Sequence, residues 1–435
     1  MGNAIRGIVL LEIISPLTTA FSILFSFWWV YAPFLLFVGV IAGRQNYLDL
    51  KYFNSLKWVL LEIKPPPEVT KSPKVAEYIF ANLHGTYLPT NWKDRFFKGK
   101  VIDWFSLEIV SHGGDSRFFI RTLEAHRNLV EAQIFAQYPN AEISQIDSDY
   151  VNKLPRYLPN DEYNLFGSEL AFSKSDAYPI LTHPYFEEES RAKEVETFRT
   201  DPLSALFEVM STLDSREHIW IQFLIRPTGD VLVKQAKEEI DVLIGKEKKV
   251  EPSAAEKVFD SLAGLVFSAP EPEKKDTKEP SMVNLTPGNR DVVLNMEKKA
   301  AKLAYETGIR FMYIAPKDNF QRSKVIGIFG FFKQFSTLNM NGFKPDKNTI
   351  TFSKGYLYTI FPSDKGFLAS AKEFKRKVNL YKNYRKRKFV KTPLVLNVEE
   401  LATLYHLPGS SIKAPLFPRV EAKKSQPPAG LPLSE

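Results

Sequence analysis

From Ile8 to Ala42 the chain carries a single charged side chain, Glu12. A run of that length exceeds the roughly 20 apolar residues that cross the hydrocarbon of a bilayer, so the amino terminus is expected to be a transmembrane segment. It is too long for the apolar core of a cleaved signal peptide, Arg6 alone precedes it, and no small-x-small site follows before Arg44. Arg6 also stands where an acylation signal needs Ser or Thr. Two arrangements fit: one tilted helix from Leu17 to Ala42, or a hairpin turning at Pro33 with Trp28, Trp29 and Tyr31 at the interface. In both, Arg44, Lys51, Lys57 and Lys64 against Arg6 place residues 44 onward on the cytoplasmic face of a cell membrane.

The remainder is rich enough in apolar residues, with 34 Phe and 18 Tyr among 435 residues, to build folded cores. It contains no cysteine, which removes disulfides, thiol nucleophiles and thiolate metal sites. Strands are expected over Trp58 to Ile63, Val101 to Val110, Arg117 to Thr122 and Ala141 to Ile146, with helices over Pro73 to Leu83 and Glu124 to Gln137. Gly113 and Gly114 suit the tight turn between the second and third strands. That order, β-α-β-β-α-β, is the split βαβ, ferredoxin-like pattern over residues 58–148.

A second block is expected over 160–360. Its strand from Glu217 to Arg226 alternates Ile219, Ile221, Phe223 and Ile225 with His218, Trp220, Gln222 and Leu224, one apolar face against one mixed face. A Lys-, Glu- and Pro-rich stretch over 246–287 reads as a disordered linker inserted in that block. The expected fold class is therefore α+β, an amino-terminal transmembrane segment within 1–50 followed by two ferredoxin-like domains. A basic segment, a short helix and a Pro-rich tail fill 370–435.

Little of the chain suggests catalysis. A phosphate-binding loop needs Gly, four residues and Gly-Lys before Ser or Thr, and no stretch has it. The six histidines show no i, i+4 pair of the kind that holds a metal on a helix. Glu187, Glu188 and Glu189 read as a solvated acidic run, and His112 near Asp115 is explained by the glycine turn between them. The reading is a non-enzyme with no metal and no cofactor.

Charge is concentrated instead. Lys372, Lys375, Arg376, Lys377, Lys382, Arg385, Lys386, Arg387, Lys388 and Lys391 stand against Glu373 alone within twenty residues, while the whole chain has a net charge of only +8. Tyr381 and Tyr384 interleave with these cations as candidate stacking rings. DNA, anionic lipid and a solvated or partner-facing surface remain open as readings.

Several stretches resemble the amino-terminal, non-ATPase half of bacterial membrane-anchored DNA-translocating ATPases of the type IV secretion and conjugation kind. They are Trp58-Val-Leu-Leu-Glu-Ile63, Phe105-Ser-Leu-Glu-Ile109, Arg127-Asn-Leu-Val-Glu-Ala-Gln133, Asp201-Pro-Leu203, Trp220-Ile-Gln222, Glu306-Thr-Gly-Ile-Arg-Phe311 and Glu400-Leu-Ala-Thr-Leu-Tyr-His-Leu-Pro408. In that family the tail leads into a motor domain, whereas this chain stops at Glu435. The resemblance implies a membrane-tethered platform that positions a separate translocation ATPase. Leu401, Leu404, Tyr405, Leu407 and Pro408 are the candidate docking residues, on the partner or on the chain's own domain. The partners implied are the membrane, that ATPase, DNA or anionic lipid, and copies of the chain itself.

Overall fold

A computed structural model describes residues 26–66, 69, 71–192, 201–244, 285–351 and 367–409. In chain order the elements are α1 (Trp28–Ser55), β1 (Trp58–Lys64), α2 (Lys74–Leu83), α3 (Trp92–Lys98), β2 (Phe105–His112), β3 (Asp115–Leu123), α4 (Arg127–Gln137) and β4 (Glu142–Gln145). They continue with β5 (Tyr163–Phe172), α5 (His183–Ala192), α6 (Ser204–Ser211), β6 (His218–Thr228), α7 (Val231–Leu243), α8 (Pro287–Ala300), β7 (Ala304–Pro316) and α9 (Arg322–Lys333). The last are β8 (Phe343–Pro345), α10 (Phe367–Arg385), β9 (Leu394–Asn397) and α11 (Val398–Leu404). Two units divide the chain: residues 1–57 with 88–102, and residues 58–87 with 103–435.

The larger unit is built on one nine-stranded sheet of order β4-β1-β3-β2-β6-β7-β5-β8, with β9 pairing β7 off that path. Every pairing is antiparallel. Its strands are rich in β-branched and aromatic residues, which pack well on a pleated surface. β6 is buried almost throughout because both faces of the sheet are covered. Ile219, Ile221, Phe223 and Ile225 point to one face, where they share a core with Phe80 of α2, Ile134 of α4, Phe207 of α6, Ile328 of α9 and Leu401 of α11. The alternate residue Trp220 points to the other face and packs with Tyr150, Met312 and Ile314 and with Leu380, Tyr381 and Tyr384 of α10. The period of two in β6 thus sorts the two cores, as its alternation predicts.

The expected pair of separate ferredoxin-like domains is corrected by this sheet. β2 belongs to the first block and β6 to the second, yet they pair over eight residues from Phe105↔Ile225 to His112↔His218. The physical reason is that β2 uses its second edge: β3 occupies one side and β6 the other, so no domain boundary falls between the blocks.

The transmembrane expectation is corrected as well. α1 is apolar from Trp28 to Ala42 and then meets Arg44 and Gln45. Those fifteen residues rise about 22 Å at ~1.5 Å each, short of the roughly 30 Å of bilayer hydrocarbon. No helix among the described residues is long and apolar enough to cross a membrane. Residues 8–25 of the apolar run, residues 246–284 of the expected linker and residues 410–435 of the tail lie outside the described residues.

Candidate functional site

The basic segment separates into an inner half, made of its arginines and Lys377, and an outer half of the other lysines. Arg376 donates to the Ile350 carbonyl at 3.2 Å, and Lys377 pairs with Asn164 at 3.0 Å and Glu373 at 2.9 Å. Arg385 reaches Asn152 Oδ1 at 3.0 Å and the Val151 carbonyl. Arg387 is fully inside. Lys372, Lys375, Lys382, Lys386, Lys388 and Lys391 are exposed. At ~100° per residue, the first four of these fall within a sector about 80° wide and span about 21 Å of helix. The helical hydrogen bond from Lys386 N to the Lys382 carbonyl, 3.2 Å, carries that stripe past the end of α10.

The candidate stacking rings face inward. Tyr381 lies parallel to Trp220 with ring centres 6.2 Å apart, and Tyr384 is 5.2 Å from the same indole. Tyr381 donates to the Pro155 carbonyl at 2.7 Å, and the Tyr384 and Tyr150 hydroxyls are 2.8 Å apart. Burial raises both tyrosine pKa values, so they stay neutral. Neither ring is open to a base or a lipid. Phe374 is exposed, but it projects from α10 off the lysine stripe.

A buried polar row fixes this arrangement. Glu108, Gln222, Arg310 and Glu169 lie directly opposite one another on β2, β6, β7 and β5. Gln222 Nε2 donates to Glu108 at 3.0 Å, its Oε1 accepts from Arg310 Nη1 at 2.8 Å, and Arg310 Nε donates to Glu169 at 3.0 Å. At one end Arg387 closes on Glu108 with Nε to Oε1 at 2.9 Å and Nη2 to Oε2 at 3.0 Å. Nη1 and Nη2 also donate to Asp149, and Nη1 to the Arg385 carbonyl at 3.3 Å. Arg310 Nη2 also holds the Lys388 carbonyl at 3.2 Å, which ties down the backbone just beyond α10.

Burial opposes the charge on Glu108, yet Arg387, with donors from Ser106 and Tyr150, keeps its carboxyl below the usual range. Burial likewise works against Arg387, and Glu108 and Asp149 more than reverse it. Isolated charges here would be very costly, whereas a paired and fully hydrogen-bonded set is tolerated. Arg387 takes a left-handed backbone, φ 47°, to aim its fork inward.

The candidate docking residues are core residues of this chain. Leu401 and Leu404 are fully buried, as are Tyr405, Leu407 and Pro408 to within a few per cent. Tyr405 packs edge-on to Phe118 and donates to the Phe119 carbonyl at 3.2 Å. Asn397 and Glu400 form a capping box at the start of α11, and Glu400 pairs with buried Lys299 at 3.1 Å. His406 bridges the Ala402 carbonyl at 2.8 Å and Asp201 at 3.0 Å, locking the segment after α11.

Two histidines that sequence spacing does not connect meet at the end of β2 and β6. His112 Nδ1 and His218 Nδ1 are 2.9 Å apart. Burial, with Lys153 and for His112 also Arg117 nearby, lowers His112 to about 3 and His218 to about 4. Asp115 is engaged by Arg117 instead, at 2.7 Å, and Gly113 and Gly114 take the positive φ their turn requires. Among the described residues no group of three His, Asp or Glu is placed to hold a metal ion.

Comparison with known proteins places these features in a family. A family model described as a domain of unknown function (DUF8128) matches residues 50–417, which takes in the whole sheet, the lysine stripe and α11. The chain belongs to that family. No curated protein matches it. A solved structure of a berberine bridge enzyme variant, a reticuline dehydrogenase, aligns with 81% of this chain at 11% identity and a TM-score of 0.19. The chain spans 54% of that protein's length, and a likeness this low carries no argument about fold or activity. Nothing in these matches links the DUF8128 chain to type IV secretion or conjugation proteins.

Proposed function

We propose that this protein is a non-enzymatic binding subunit that holds duplex nucleic acid by its phosphates along α10. One observation carries the reading: Lys372, Lys375, Lys382 and Lys386 form a single exposed stripe on a helix whose opposite face is locked into the sheet. Fixed cations on a rigid rod suit phosphate contact, which is electrostatic and indifferent to sequence. The stripe's length of about 21 Å matches roughly six phosphates at ~3.4 Å per strand step.

The chemistry favours a duplex over its rivals. Single strands are held by stacking rings beside cations, and Tyr381 and Tyr384 are committed to Trp220. A helix lying in a lipid surface needs a free apolar face, and that face of α10 is occupied by the protein's own core. Glu108, Arg387, Arg310 and Glu169 satisfy one another, which leaves them as supports of the stripe rather than as reacting groups.

Titrating labelled duplex DNA with the full chain by fluorescence anisotropy tests this. Binding that weakens steeply with added salt is expected. Salt-independent binding, or equal binding after the four lysines are changed to alanine, would overturn it. Hydrolysis of ATP by the purified chain would contradict the non-enzymatic part.

A further inference from the structure

The smaller unit exposes apolar surface on a scale that folded units rarely leave to water. Phe34, Leu35, Leu36 and Phe37 of α1 are 61–69% exposed. At ~100° per residue these consecutive positions point in every direction around the helix. A protein groove covers one side of a helix, whereas hydrocarbon covers all of it. The apolar stretch ends at Arg44, and there α3 is fastened to α1. Arg44 donates to the Phe96 carbonyl at 2.8 Å with its guanidinium 5.0 Å from the Phe96 ring, and Gln45 donates to the Arg95 carbonyl at 2.8 Å. Gly99 closes α3 with φ 66°, and a Cβ there would stand 2.5 Å from the Leu48 backbone, so the approach requires glycine.

The clasped α3 has the composition of a membrane–water boundary. Trp92 and Phe97 are 69% and 57% exposed. The described part of this unit carries Arg44, Lys51, Lys57, Lys93, Arg95, Lys98 and Lys100 against Asp49 and Asp94, an excess of five cations. Aromatic rings favour the headgroup level, and lysines beside it favour anionic lipid.

We propose that this unit seats on an anionic lipid surface. The apolar stretch of α1 enters the acyl region. α3 lies at the headgroup level, with Trp92 and Phe97 at the interface and Lys93 and Lys100 toward phosphate. The clasp at Arg44 and Gly99 sets the depth, because it fixes where the apolar stretch stops relative to α3.

The chain contains no cysteine, so a single introduced one can carry a polarity-sensitive fluorophore. Full-length Leu36→Cys, Phe97→Cys and, as a control on the other unit, Leu338→Cys would each be labelled. Each would then be mixed with phosphatidylcholine vesicles, with or without phosphatidylglycerol, containing brominated lipid. The labels at 36 and 97 are expected to shift to the blue and lose at least half their emission to the bromines, more at 36 than at 97. The effect at 97 should be stronger on the anionic vesicles. A label at 97 that stays in water while 36 is quenched would overturn the role of α3. Blue-shifted labels at both sites before any vesicle is added would show that protein covers the surface, and would overturn the proposal entirely.

Discussion

Arg387 and Glu108 lie 279 residues apart in sequence and meet in a two-nitrogen fork, 2.9 and 3.0 Å, at the centre of a buried core. The contact joins the end of the basic helix to a strand in the middle of the sheet. It explains why a segment that is so strongly charged is held as a rigid rod rather than as a mobile tail.

Removing one partner should therefore be far worse than removing both. Arg387→Met leaves the Glu108 carboxylate buried without its cation, at an expected cost of about 3–5 kcal/mol in unfolding free energy. Glu108→Leu combined with Arg387→Met should recover much of that loss. Urea unfolding of the two variants decides it, and a single variant within 1 kcal/mol of the parent protein would show that the fork does not hold α10.

Gly167 of β5 gives a second handle on the same helix. A Cβ there would stand 2.4 Å from the Phe311 carbonyl oxygen and 2.7 Å from Leu380 of α10. Gly167→Ala is expected to destabilise by about 1–3 kcal/mol through overpacking and to loosen α10. Hydrogen exchange of the α10 amides should rise in that variant; unchanged protection would place the strain elsewhere.

Acid should weaken the fold before the carboxylates titrate. Burial lowers His112 to about 3 and His218 and His183 to about 4, against an ordinary value near 6.5. The unfolded chain then binds protons that the folded chain refuses. Their contribution is fully present above pH 6.5 and is lost as pH falls towards 4, at up to about 1.4 kcal/mol per pH unit for each histidine. Glu77, which faces His183 and has a raised pKa, acts in the opposite sense and offsets part of this. Unfolding free energies at pH 7 and pH 5 check the slope, and His112→Gln with His218→Gln should flatten it.

What was legible in the sequence was mostly local. The alternation in β6 correctly separates Ile219 and Ile221 from Trp220 and Gln222, because neighbouring side chains of a strand face opposite ways. The pairing of β2 with β6 was not legible, because the register that sets Glu108 opposite Gln222 is fixed by tertiary packing over more than a hundred residues. The meeting of His112 with His218 is hidden for the same reason. The basic segment is visible as charge, but its division into an inward set, the arginines with Lys377, and an outward set of the other lysines depends on what the fold offers at Glu108, Asp149 and Asn164. The sequence leaves the leucines of α11 open between a partner and the chain's own core, because an apolar stripe looks the same whichever covers it. α3 left no signal, being seven residues long and lacking a clear period.

The most direct test of the central claim is the salt dependence of duplex binding by the full chain and by its Lys372→Ala, Lys375→Ala, Lys382→Ala, Lys386→Ala variant. Each phosphate contact adds about 0.9 to the slope of log affinity against log salt. The stripe therefore predicts that the variant's slope is shallower by about 3 to 4, with its unfolding midpoint unchanged. Equal slopes for a well-folded variant would mean that the lysines of α10 do not meet phosphate.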